Sequence, residues 1–206
     1  KLLEEEDISH KIVNDLFDGV ESDLKNQVNL NTKKDLLIYS YQVAGTVGLM
    51  MAKILKVKNK QSLRCAVDLG VAMQLTNITR DVVEDINRNR VYIKADFNSI
   101  SETIFLADIF YQNSFPAIKN IPIFSRFAIL VARRIYRRIG YEILSQKNME
   151  TYNNAGKIYV SVLGKAIETF LSFFDFIQLF FINSSKQEKQ NEHIMLHEEI
   201  NLDEKI

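Results

Sequence analysis

An all-α fold is predicted by three features of this 206-residue sequence. Apolar residues recur at helical spacing over long stretches, chain breakers are few, and no alternating apolar–polar pattern lasts beyond a few residues. Only 7 Gly and 2 Pro interrupt the chain, which suits long helices better than a sheet with many turns. Hydrophobic residues make up 47% and charged residues 25%, so one sizeable core can form and global disorder is excluded.

The elements follow in order. Ile8, Ile12, Val13, Leu16 and Phe17 predict a helix over 7–18, with Gly19 as its stop. Asn31 or Thr32 caps a second helix running through Tyr39 and Met50 to about residue 55. A third helix is predicted over 60–88. Ser99 with Glu102 fits a capping box at the start of a fourth. Pro116 and Pro122 bracket a connection to a long helix over 123–147, and another is predicted over 154–183. From Asn183 the sequence turns polar. Residues 1–183 therefore read as one helical domain, and 184–206 as a polar tail or outer helix.

Lys plus Arg and Asp plus Glu both number 26, which gives no global electrostatic reason to expect nucleic acid as partner. Cys65 is the only cysteine, which excludes an internal disulfide and favours a reducing compartment. No signal peptide is visible, and no apolar run reaches the roughly 20 residues that cross a bilayer. The expected location is cytoplasmic, with peripheral contact at the inner face of the membrane left open.

On a helix over 68–90, Val71, Leu75, Ile78, Val82 and Ile86 fall on one side, and Gln74, Asn77, Asp81, Asp85 and Arg88 on a neighbouring strip. Asn77, Asp81 and Asp85 stack at i, i+4, i+8. Such a line of oxygens can hold a hard cation such as Mg²⁺, with Mn²⁺ as a substitute. Without a cation, carboxylates one turn apart repel. A solvated acidic face has the same spacing. Arg80, Arg88 and Arg90 add donors suited to a diphosphate, and the residues alone reach only a candidate Mg²⁺–diphosphate site.

The stretch Ala72-Met-Gln-Leu-Thr-Asn-Ile-Thr-Arg-Asp-Val-Val-Glu-Asp85, continuing to Arg90-Val-Tyr-Ile93, resembles the second aspartate-rich motif of squalene and phytoene synthases. The resemblance implies a class I isoprenoid synthase-like helical bundle. It also implies a Mg²⁺-dependent head-to-head condensation of two prenyl diphosphates, geranylgeranyl diphosphate to phytoene first among them, in carotenoid biosynthesis. By it, Asp81 and Asp85 hold the metal with Asn77 assisting, Arg80 and Arg90 contact diphosphate, and Gln74 sits beside the reacting chains. Prenyl diphosphates are the implied partners, with other carotenoid-pathway enzymes as further candidates.

In Tyr39-Ser-Tyr-Gln-Val-Ala-Gly-Thr-Val-Gly-Leu-Met-Met-Ala52, residues Tyr41, Ala44, Gly45, Gly48 and Ala52 share a helical face. Glycine inside a helix costs about 1 kcal/mol relative to alanine, so something must approach that backbone closely. Tight helix packing is one reading. The segment also resembles the family's Tyr-x-Tyr-x-Val-Ala-Gly-Thr-Val-Gly signature, which implies a catalytic Tyr41 at the reaction centre and room for an isoprenoid tail beside Ala44, Gly45 and Gly48. Asp18-Gly-Val-Glu-Ser-Asp23 matches the family less specifically and supplies no metal ligand.

Weaker signals remain. Arg126, Arg133, Arg134, Arg137 and Arg138 predict a basic helix face, paired with acids or solvated, with an anionic membrane surface as the alternative. The aromatic run 170–182 is expected to pack in the core. His193 and His197 lie one turn apart in a polar context without a metalloprotease arrangement. Lys157 and Lys165 resemble a late basic segment of the family. Lys157 stands where arginine is expected, so only Lys165 is carried over as a substrate contact. Lys94 replaces an expected proline.

No Asp-x-x-x-Asp precedes residue 72, so the family's first motif is missing. The expectation is an enzyme fragment without its N-terminal helices, inactive by itself. The alternatives are a squalene- or dehydrosqualene-type synthase acting on farnesyl diphosphate, a non-catalytic assembly-factor relative, and a helical lipid-binding module.

Overall fold

The computed structural model describes residues 1–182 and 191–206. Among the described residues, the regular structure is helical apart from one pair of two-residue strands. After α1 (Leu2–Glu5), α2 spans His10–Ser22. Strand β1 (Val28–Asn29) lies parallel to β2 (Arg90–Val91). Helix α3 (Lys33–Ser40) passes through a π-turn at Tyr41–Gly45 into α4 (Thr46–Ile54). Next come α5 (Lys60–Arg80), α6 (Val82–Asn87) and α7 (Phe97–Ser114). A 3₁₀ segment (Phe115–Asn120) leads to α8 (Ile123–Leu144), α9 (Met149–Ala155), α10 (Val162–Phe181) and α11 (Asn191–Glu199).

Helix α5 is the central strut. It packs on α7, α8, α4 and the π-turn, and its Val67, Val71, Ala72 and Leu75 are fully buried. Two glycines let α4 and α5 touch backbone to backbone. A Cβ on Gly48 would lie 2.3 Å from the Ala66 carbonyl oxygen, and one on Gly70 equally close to that of Ala44.

Several boundaries differ from the sequence expectation, each for a local reason. Thr32 caps α3 in a full capping box with Asp35, whereas α7 starts at Phe97, with Asp96 rather than Ser99 as its cap. The Asp96 carboxylate accepts from both the Ser99 amide (2.8 Å) and its hydroxyl (3.0 Å). Gly19 does not stop α2. It is a close-approach point, since a Cβ there would lie 2.7 Å from the Gln42 Cβ. The helix expected over 154–183 is two helices, because Gly156 takes a positive φ of 62° that favours glycine.

The aromatic run is not core. Helix α10 is inside out: Glu168, Ser172 and Leu179 face inward, while Phe170, Phe173, Phe174, Phe180 and Phe181 are exposed. The arginines of α8 explain this orientation. Arg134 bonds both Glu168 (2.8 Å) and Asp175 (2.9 Å). Among the described residues, no helix is long and apolar enough to cross a membrane.

The boundary expected at 183/184 lies outside the described residues. Residues 191–206 pack back on the domain, and Leu196, Ile200 and Leu202 join the main core cluster. His193 and His197 turn inward to Asp68, a fully buried carboxylate on α5.

Candidate active site

The candidate site forms where α5 gives way to α6. Asp81 leaves helical geometry (φ −107°, ψ 13°), yet its amide still bonds the Asn77 carbonyl (3.0 Å), and the Asp85 amide bonds the Asp81 carbonyl (2.8 Å). The backbone ladder therefore continues while the side chains fan out. Tyr152 of α9 braces the junction, donating its hydroxyl to the carbonyls of Thr79 (2.8 Å) and Arg80 (3.0 Å).

The fanning gives the two aspartates unlike surroundings. Asp81 is gripped by the Arg80 guanidinium at both oxygens (2.9 and 2.6 Å). Its Oδ1 also meets the Lys157 ammonium at 3.2 Å. Burial acts to raise its pKa, but the Arg80 hydrogen bonds and charge, with Lys157, outweigh it and hold the carboxyl below its usual range. Asp85 has no such partner. Burial first, then the Asp81 charge, push it up to about 6, and Arg90 opposes this only in part. Arg90 itself bonds the Asp23 carbonyl (3.0 Å). The Asp23 carboxylate in turn accepts from the hydroxyls of Tyr39 (2.9 Å) and Tyr92 (2.7 Å).

Beside this polar end lies an apolar cavity of about 370 Å³. Gln74 and Asn77 line its polar end, Ala44, Val47, Gly48 and Met51 one wall, and Tyr136 of α8 another. On α5 its lining runs from Asn77 back to Ser62, a rise of roughly 22 Å at about 1.5 Å per residue. Asn77 Oδ1 is buried without a hydrogen-bond partner, and a buried acceptor left unmet is costly.

Of the residues singled out in the sequence, Ala44, Gly48, Gln74 and Asn77 line the cavity; Arg80 and Asp81 line a separate cleft with Tyr152 and Lys157, and Asp85 lies with Arg90 and Tyr92 in another. Others stand apart. Tyr41 is buried and does not line the cavity; its hydroxyl donates to Asp15, which also pairs with Lys205 (2.6 Å). A Cβ on Gly45 would face Tyr41 and Val67, in the core. Lys165 is exposed on the first turn of α10, and its ammonium has no ion pair among the described residues. Lys157, set aside for being lysine rather than arginine, is at the carboxylates. Its place after a positive-φ glycine was the available signal. Tyr152 and Tyr136 left none.

The oxygen donors fit a hard divalent ion: an orphaned amide oxygen, a carboxylate with no ion pair among the described residues and a second carboxylate one turn away. Among the described residues, no three His, Cys, Asp or Glu side chains form a metal cage.

Comparisons with known proteins bear on this arrangement. The squalene/phytoene synthase family model matches residues 1–99, a span that holds both the small-residue segment and the aspartate motif. A 15-cis-phytoene synthase from Enterobacter agglomerans is 34% identical over 140 residues, covering 58% of this chain and 48% of that protein. A phytoene synthase from Thermus thermophilus is 50% identical over 94 residues, covering 46% and 32%. Over residues 1–99 the chain matches the squalene/phytoene synthase family. The crystal structure of a dehydrosqualene synthase in complex with ligand superposes with a TM-score of 0.67 at 25% identity, covering 83% of this chain and 66% of that one. Its likeness supports the isoprenoid synthase helical fold. The chain spans about half the length of the first curated relatives it matches.

Proposed function

We propose that this chain forms the diphosphate- and tail-binding part of an enzyme that condenses two prenyl diphosphates head to head with Mg²⁺. The observation that supports the reading is continuity along one stretch of chain: Gln74 and Asn77 line an apolar cavity, and the backbone ladder runs on from Asn77 to Asp81 and Asp85, with Arg80 paired to Asp81. A prenyl diphosphate has the same two-part chemistry, an anionic head and an apolar tail.

Asn77, Asp81 and Asp85 would hold Mg²⁺, which would supply charge neutralisation for a departing diphosphate. Arg80 adds a fixed guanidinium at the same place, and Arg90 approaches from the Asp85 side. Ala44, Gly48, Val47 and Met51 keep water from the tail and orient it. Tyr41 and Gly45 act through the core that positions this wall. Lys165 comes to the reading from resemblance alone.

Geranylgeranyl diphosphate, with phytoene as product, is the substrate we favour, because the curated relatives quoted above are phytoene synthases and the cavity follows α5 for some four turns. Farnesyl diphosphate is the second reading, favoured by the dehydrosqualene synthase fold match. Partners beyond the substrate, and contact with a membrane, stay proposals of the same kind.

Calorimetry with the non-hydrolysable S-thiolodiphosphates of both prenyl chains tests the reading. Binding should need Mg²⁺, favour the geranylgeranyl compound and fail in Asp85→Asn. Equal binding with and without Mg²⁺ would overturn it.

A further inference from the structure

We propose that Lys157 is the built-in counter-ion of Asp81, and that a divalent cation must displace its ammonium to bind. The inference rests on the metal-site reading above.

Four observations carry it. The Lys157 ammonium lies 3.2 Å from Asp81 Oδ1 and 2.8 Å from Glu84, so one mobile charge is shared between two carboxylates of α6 and its cap. The residue before it, Gly156, holds a positive φ and faces open space, with no atom within 4 Å of where a Cβ would stand. This turn after α9 delivers Lys157 to the site. The two cations on Asp81 differ in kind. Arg80 is mostly buried and grips both oxygens, whereas the Lys157 side chain is 38% exposed. A lysine is a point charge on a flexible stem, and it can leave without breaking a forked pair. Finally, among the described residues Asp85 makes no ion pair, feeling Arg90 and Arg88 only through their charge, and Asn77 Oδ1 has no hydrogen-bond partner.

The site is therefore lopsided. Among the described residues, Asp81 is ion-paired to two protein cations and Asp85 to none. A hard cation settles first against Asp85 and Asn77 and gains Asp81 only as Lys157 withdraws. The released ammonium stays on the same loop, within reach of an anionic ligand. Because Lys157 is partly solvated, its effect is screened by salt and is read best at low ionic strength.

The test is Mn²⁺ binding by this chain, followed through the paramagnetic resonance signal of free Mn²⁺, which needs no turnover. At low salt Lys157→Gln should bind Mn²⁺ roughly three- to ten-fold more tightly than the unaltered chain, since a like charge beside the ion is gone. The gain should shrink at about 0.5 M salt. Lys157→Arg keeps the charge and should show no such gain. Lys147→Gln, an exposed lysine elsewhere, should leave affinity unchanged. Unchanged or weaker binding by Lys157→Gln overturns the inference while leaving the metal site standing. If neither the unaltered chain nor Lys157→Gln binds Mn²⁺, the metal-site reading itself fails, and this inference with it.

Discussion

Helices α5 and α6 carry one aspartate each, and the two meet opposite fates. Asp68, midway along, is wholly buried and saturated. His193 and His197 each lie 3.1 Å from its Oδ1, and the Asn113 amide donates to Oδ2 at 2.6 Å. Burial would raise its pKa, but the two imidazoles win and hold it at about 2. Asp85, on α6, is half-buried and makes no ion pair among the described residues, so burial outweighs the charges of Arg90 and Arg88 and its carboxyl rises to about 6. The difference separates a fastening from a binding site. Where the protein supplies every partner, the carboxylate ties segments together. Where it withholds one, an outside cation has a place.

The largest effect should come from cutting the fastening. Asp68→Ala leaves two buried imidazoles unpaired and should cost about 3 kcal/mol, measured by urea denaturation, with faster proteolysis of the C-terminal helix. A cost below about 1 kcal/mol would show that the cluster holds nothing. The same carboxylate sets an acid dependence. Its folded pKa lies below its unfolded value, so its stabilisation is complete above pH ~4 and lost as pH falls toward ~2. Asp68→Asn should lack that share of the acid loss.

Next in size is the frame that both aspartates depend on. Gly70→Ala pushes a methyl into the Ala44 carbonyl and should cost roughly 2 kcal/mol; loss of prenyl-ligand binding alongside would link the helix crossing to the cavity. Asp85→Asn should weaken Mn²⁺ binding at least about tenfold, some 1.4 kcal/mol, while the urea midpoint stays level or rises, because an unpaired buried charge is removed. A fall in that midpoint would make Asp85 a fastening like Asp68. The smallest effect belongs to Lys165→Gln, whose exposed position predicts a stability change within about 0.5 kcal/mol.

Much of this was legible in one dimension. The helical period placed Gln74, Asn77, Asp81 and Asp85 on one strip; Gln74 and Asn77 share a cavity lining, while the break at Asp81 gives Asp81 and Asp85 different neighbours. The glycines of 39–52 signalled close approach, and Gly48 meets α5 with its backbone. The arginine cluster predicted a face on α8 either solvated or paired with acids, and Arg134, Arg137 and Arg138 are paired. What was illegible involved a partner far along the chain. His193 and His197 read as a polar tail because Asp68 stands 129 residues from His197. Lys157 read as a departure from a pattern because its carboxylates lie on another helix. The phenylalanines of α10 read as core because the pull of Arg134 on Glu168 and Asp175 is not written in α10 itself.

By itself, then, the sequence determined the helices, their caps at Thr32 and the oxygen line of the candidate site. These depend on hydrogen bonds and side-chain spacing within one or two turns, which residue order specifies directly. Only the tertiary structure decided which aspartate is saturated, which way Tyr41 points and what stands on Asp81. Those outcomes balance desolvation against charges that the chain's path brings together, and neither quantity exists until distant helices meet.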